Sequence, residues 1–141
     1  MRNSVKDDYA LLALFDLGLQ KSHDPVKIAE ISRRQRIPQK FLEQVLASLK
    51  QGGFVESRRG VEGGYLLARP ADAITVGQVL RFLEGQGFSK RDSLRGADTP
   101  FRDMWRQVGE SITRVLDHTT IGEVCRSWEE KNSRFTPNWE I

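Results

Sequence analysis

The run Arg58-Arg59-Gly60-Val61-Glu62-Gly63-Gly64-Tyr65-Leu66-Leu67 constrains this chain more than any other segment. Its glycines permit positive φ and a tight reversal. The apolar stretches Phe54-Val55 and Tyr65-Leu66-Leu67 on either side read as two short strands joined by that turn. Two arginines stand at its mouth, and two compact helical patterns lie just upstream. A helix pair followed by a small basic hairpin predicts a winged helix-turn-helix. The expected fold is therefore mainly α with a small two-stranded β-wing, one helix entering a DNA major groove and the arginine-tipped loop reaching its flank.

The helical patterns can be placed. Tyr9, Leu12, Leu14, Phe15 and Leu19 recur at helical spacing over 4–22. Asp24-Pro25 reads as a cap and first turn of a second helix running to about Arg34 and burying Ile28 and Ile31. Ile37-Pro38 marks a turn and restart, since a residue before proline avoids helical torsions. Over 39–51, Leu42, Val45, Leu46 and Leu49 form one apolar face, so Lys40, Glu43, Gln44 and Ala47 point away from it. Gly52-Gly53 closes this helix.

The exposed face of 39–51 offers groups that can read bases: Gln39 and Gln44 for adenine, Lys40 for guanine, Glu43 for cytosine N4. Glu43 repels phosphate, so its expected role is selectivity. Arg58 and Arg59, with Gly60 allowing close approach, are placed for phosphates or a narrow minor groove. Arg33, Arg34 and Arg36 form a basic cluster between the helices; a solvated face is its default reading, with phosphate contact open for one of the three. Charge agrees with this layout. Residues 1–70 hold 12 Lys and Arg against 8 Asp and Glu, whereas residues 71–141 hold 10 against 11.

Two capping boxes, Thr75-Val76-Gly77-Gln78 and Thr120-Ile121-Gly122-Glu123, open helices to about Glu84 and Glu130. They look alike, but so short a similarity does not establish a repeat. Between them Gly85–Thr99 is polar and glycine-containing, which predicts a mobile loop. After Pro100 a long helix to about Asp117 carries Phe101, Trp105, Val108, Ile112 and Val115 in alternating four- and three-residue steps. That seam could be ordinary core; a two-fold dimer helix suits a regulator of palindromic DNA better. The tail from Phe135 to Ile141 ends in Trp139 and Ile141 and is expected to pack on something.

Other functions find little footing. There is no P-loop, nucleophile elbow or clustered His/Asp/Glu set, so no enzyme is expected. The single cysteine, Cys125, excludes an intrachain disulfide and a structural zinc held by thiolates of this chain alone; its default role is that of a small buried residue, with thiol sensing as the alternative. Neither a secretory signal nor a membrane span is expected, and the cytoplasm is the natural setting.

The residues also resemble a known family. Tyr9-Ala10-Leu11, Pro25-Val26, Ile28-Ala29-Glu30-Ile31, Phe41-Leu42-Glu43-Gln44, Arg59-Gly60, Gly63-Gly64-Tyr65-Leu66-Leu67, Ile74-Thr75-Val76-Gly77 and, more weakly, Thr120-Ile121-Gly122-Glu123 are similar to the Rrf2 family of bacterial transcription regulators. The resemblance covers nearly the whole chain. It implies a homodimer with an N-terminal winged helix-turn-helix, a long dimerisation helix, and DNA contact from the helix bearing Gln39, Lys40 and Glu43 and from the wing. Many members carry three cysteines before the long helix that bind an iron–sulfur cluster, and some add a carboxylate where Asp8 stands. Here Gly85–Thr99 has no cysteine. One carboxylate without thiolates cannot hold a cluster, so no metal and no cofactor are expected.

The sequence thus predicts a DNA-reading part over 1–84, a loop over 85–99 and a dimerisation part over 100–141. The expected function is a homodimeric repressor on a pseudo-palindromic operator. The alternatives are a winged helix that docks on a partner enzyme, or a Cys125 thiol sensor.

Overall fold

The computed structural model describes residues 4–84 and 99–135. The elements run α1 (Val5–Gly18), α2 (Ile28–Gln35), α3 (Gln39–Gln51), β1 (Val55–Arg58), β2 (Gly64–Leu67), a 3-10 turn (Ala71–Ala73), α4 (Val76–Glu84), α5 (Arg102–His118) and α6 (Ile121–Phe135). The expected loop over 85–99, apart from Thr99, and the aromatic tail after Phe135 lie outside the described residues.

Helix α1 is the hub. Ser4 caps it with a full capping box: the Asp7 N–H donates to Ser4 Oγ at 3.1 Å and the Ser4 N–H donates to Asp7 Oδ2 at 3.3 Å. Its apolar residues are not confined to one stripe, as suits a helix with neighbours on several sides. Ala10, Ala13, Leu14 and Leu17 are buried against α2, α3, α4, α6 and β2. Leu42, Val45, Leu46 and Leu49 of α3, Ile31, Ile74 and Val79 complete one core, and Ile121 and Cys125 of α6 belong to it.

Three expected boundaries are corrected. Helix α1 stops at Gly18, with Leu19 as its C-cap, instead of running to residue 22. Asp24 and Pro25 do not open the second helix. Val26 is extended, because its N–H donates to the Tyr65 carbonyl at 2.7 Å and its own carbonyl accepts from the Tyr65 N–H at 2.8 Å. Helix α2 therefore begins only at Ile28, after Lys27. A backbone pairing across 39 residues of sequence outweighed a local cap signal. At the other end, α6 continues past Glu130 to Phe135.

A buried ion pair sets α2 against α1. Asp16 is 1% exposed, in the middle of the hub's surroundings. Its oxygens accept from Arg34 Nε at 3.0 Å, Arg34 Nη2 at 2.9 Å and Gln35 Nε2 at 2.9 Å. The forked geometry of the guanidinium matches the carboxylate at two points, and the bonded Asp16 carboxylate holds the Arg34 pKa above its ordinary value. Replacing Arg34 by Met would leave the carboxylate buried with only Gln35. The expected cost is about 3 kcal/mol, read as a lower urea midpoint at unchanged slope; an unmoved midpoint would show that the pair does not hold α2.

Candidate nucleic-acid interface

The helix pair and the hairpin are neighbours in the fold, with α3 packed on both α2 and β1. Leu42, Val45, Leu46 and Leu49 are fully buried, which turns the opposite side of α3 outward. Gln39, Lys40, Glu43 and Gln44 are all exposed on it. Phe41 beside them is half-buried, edge-on to Tyr9 with ring centroids 5.2 Å apart, and fixes the start of α3 on α1. The turn before α3 is held by Arg36 at φ 56 and by the Ser32 hydroxyl, which donates to the Ile37 carbonyl at 2.6 Å.

The wing pairs Val55 with Leu67, Glu56 with Leu66, Ser57 with Tyr65 and Arg58 with Gly64. Two glycines have identifiable reasons. Gly60 turns the tip at φ 100. Gly64 lies at φ 153, and a Cβ there would run into the Val26 carbonyl, which would break the backbone pairing at the wing's root. Lys27 ties the tip down: its Nζ donates to the Val61 carbonyl at 2.6 Å and to the Gly63 carbonyl at 3.2 Å. Lys50 Nζ donates to Ser57 Oγ at 2.7 Å and joins the end of α3 to β1. The wing is thus braced against both helices of the pair, its tip at the residue before α2 and β1 at the end of α3.

Arg58, Arg59 and Gly60 are exposed at the wing, with Val61 89% exposed beyond them. Arg58 Nη2 donates to Glu56 Oε1 at 2.9 Å, an exposed pair that a phosphate could displace at little cost. Of the three arginines at the helix turn, Arg34 is committed to Asp16, while Arg33 and Arg36 remain exposed. Sequence reasoning missed Lys27, Lys50, Ser57 and Val61. The partners of Lys27 are backbone carbonyls 34 and 36 residues away, which leave no side-chain signature to read.

The seam residues of α5 lie on its surface. None of the 17 residues of this helix is buried. Phe101 at its cap is 61% exposed, Trp105 37%, Val108 41% and Val115 63%, with Ile112 half-buried. Met104, 44% exposed, adds to the apolar surface. Among the described residues no helix is long and apolar enough to cross a membrane.

Comparison with known proteins agrees with this arrangement. A family model described as Rrf2, iron-dependent transcriptional regulator, matches residues 3–127. The transcriptional regulator IscR of Klebsiella pneumoniae is 35% identical over 134 residues, 92% of this chain and 82% of that protein. The solved structure of T. potens IscR superposes with a TM-score of 0.78 at 36% identity, covering 93% of this chain and 90% of that one. That of CymR, the global cysteine regulator of B. subtilis, gives 0.78 at 28% identity, covering 90% and 98%.

The donors in this chain do not fit an iron–sulfur cluster. Cys125 is its sole thiol. It is 4% exposed and its Sγ lies 3.5 Å from the Phe15 carbonyl oxygen, which it faces as donor. Burial, helped by Glu129, pushes the thiol up to about 11. Among the described residues no group of three or more His, Cys, Asp or Glu side chains could hold a metal. A thiol held protonated at neutral pH is also a poor sensor. The shift means that the folded state loses stability as pH rises from 9.0 toward 11, where the unfolded thiol ionises first. At pH 8 the folded protein is expected to react with a disulfide reagent at least about 100-fold more slowly than the urea-unfolded chain, following the thiolate fraction. Equal rates would return Cys125 to the sensor role.

Proposed function

Because the chain belongs to the Rrf2 family, and so to the DNA-binding transcription regulators with a winged-helix fold and not to the enzymes, we propose that it works as a homodimeric repressor on a pseudo-palindromic operator without an iron–sulfur cluster. The observation that carries the reading is the single outward surface made by α3 and the braced wing. Gln39, Lys40, Glu43 and Gln44 would meet base edges in the major groove. Arg59 and Arg58 would sit over the adjacent backbone or minor groove, with Gly60 permitting the approach. Arg33 and Arg36 would add phosphate contact beside them.

The dimer reading rests on α5. A helix of 17 residues with none fully buried in its own subunit, yet exposing Trp105, Val108 and Val115 and flanking them with Phe101, Met104 and Ile112, leaves apolar surface that a second copy would cover. In this scheme residues 1–84 read DNA, 85–99 form a connecting loop, and within 100–141 the helix α5 pairs the subunits while α6 packs back on α1. The setting would be the cytoplasm. The docking-module alternative would require this basic surface to bind a protein instead of DNA, with association insensitive to salt.

Selection of bound sequences from random DNA by the purified, metal-free protein tests the reading directly. Enrichment of a two-fold symmetric motif is expected; no enrichment, together with salt-insensitive capture of a protein partner, would favour docking. Arg59→Ala is expected to weaken the selected operator and to reduce the salt slope of log K by about 1 per lost phosphate contact. An unchanged slope would remove the wing from the interface.

A further inference from the structure

The two capping segments, too short to relate by sequence, meet in space. Thr75 and Thr120 face each other across an isolated antiparallel bridge. Two backbone hydrogen bonds close it: the Val76 N–H donates to the Thr119 carbonyl at 2.8 Å, and the Ile121 N–H donates to the Ile74 carbonyl at 2.9 Å. The second bond is the first with its two ends exchanged, at a constant offset of 45 residues.

The same offset relates the side chains. Asp72 and Asp117, Thr75 and Thr120, Gly77 and Gly122, Val79 and Val124, and Arg81 and Arg126 are identical pairs. Both threonines accept from the backbone three residues on, Thr75 Oγ1 from Gln78 at 3.1 Å and Thr120 Oγ1 from Glu123 at 3.0 Å. Leu80 and Cys125, also equivalent, are both 4% exposed. The ion pairs are exchanged between the copies. Arg81 Nη2 donates to Asp117 Oδ2 at 2.9 Å, with Nη1 in ionic contact with Oδ1. Arg126 Nη1 donates to Asp72 Oδ1 at 2.8 Å and Oδ2 at 3.1 Å. Each carboxylate lies over the other copy's glycine, where a Cβ would overlap it: Asp117 over Gly77, Asp72 over Gly122. Reciprocal contact, i with j and j with i, is the mark of an isologous two-fold interface; here it occurs within one chain.

This clasp sits at a mechanically sensitive place. Helix α5 has no fully buried residue and packs chiefly on α4. Its last turn carries Asp117, and the clasp fastens that turn to α4 through Arg81 while fastening the start of α6 to the 3-10 turn through Arg126. Both pairs are partly exposed, so neither adds much stability. Two reciprocal pairs around a backbone bridge do restrict rotation. A 17-residue helix is about 25 Å long, so a rotation of roughly 10° at one end shifts the other by about 4 Å, more than one base-pair step of about 3.4 Å.

We propose that Asp72, Arg81, Asp117 and Arg126 are positioning residues that set the angle between α5 and the winged helix, and thereby the spacing of the two DNA half-sites. This rests on the dimer reading above. The test is selection from random DNA, followed by binding to operators whose half-sites are moved apart or together by one base pair. It compares the wild type, Asp117→Asn, Arg126→Gln and the exchanged pair Arg81→Asp with Asp117→Arg, each checked for cooperative unfolding. The single variants are expected to keep the half-site sequence and to lose about fivefold of the preference for the native spacing, equivalent to about 1 kcal/mol; the exchanged pair is expected to restore it. Unchanged spacing preference, with any affinity loss uniform across spacers, would overturn the positioning role alone. Wild-type selection of single, unpaired half-sites would overturn the dimer reading and the spacing role with it.

Discussion

The buried Asp16 carboxylate is the constraint around which the helix pair and wing are arranged. A charge 1% exposed inside a helical hub is tolerable only when its oxygens are occupied, and Arg34 and Gln35 occupy them at 2.9–3.0 Å. Because both partners lie on α2, satisfying the charge also fixes α2 on α1. The αL turn at Arg36 and the apolar face of α3 then leave α3 a single direction, with Gln39, Lys40, Glu43 and Gln44 outward. An interaction that contributes modestly to net stability thus helps set the orientation of the exposed face of α3.

The wing depends on the same frame. Its two strands are four residues each and need support from outside the hairpin. Val26 supplies backbone pairing at Tyr65, Lys27 holds the tip, and Lys50 ties β1 to the end of α3. Since Val26 and Lys27 immediately precede α2, the wing is fastened to the start of the helix pair. In the proposed reading, where α3 meets a groove and the wing its flank, such bracing would help both contacts to be made in one register.

Much was legible in the sequence because local physics dominates there. The apolar spacing of Leu42, Val45, Leu46 and Leu49 places α3 and its exposed face without knowledge of neighbours. The glycines of the wing tip and the threonine caps of α4 and α6 announce themselves for the same reason. The start of α2 was not legible: Asp24-Pro25 is a sound local signal that lost to a pairing with Tyr65. Nor could the role of Arg34 be told from those of Arg33 and Arg36, since its partner Asp16 lies 18 residues away. The Thr75 and Thr120 segments likewise show their relation only when the exchanged ion pairs are seen.

By itself, then, the sequence determined the helices and hairpin, the outward face of α3, the basic tip and the apolar stripe on α5, because periodicity, caps and glycines act within a few residues. The chain's sole cysteine likewise ruled out thiolate ligation of a cluster. Tertiary structure alone decided which arginine is structural, what braces the wing, how deeply Cys125 is buried and how α5 is fastened to the rest. Each of those depends on groups brought together from distant positions, where the cost of desolvating a charge or a backbone amide selects the partner and sequence proximity does not.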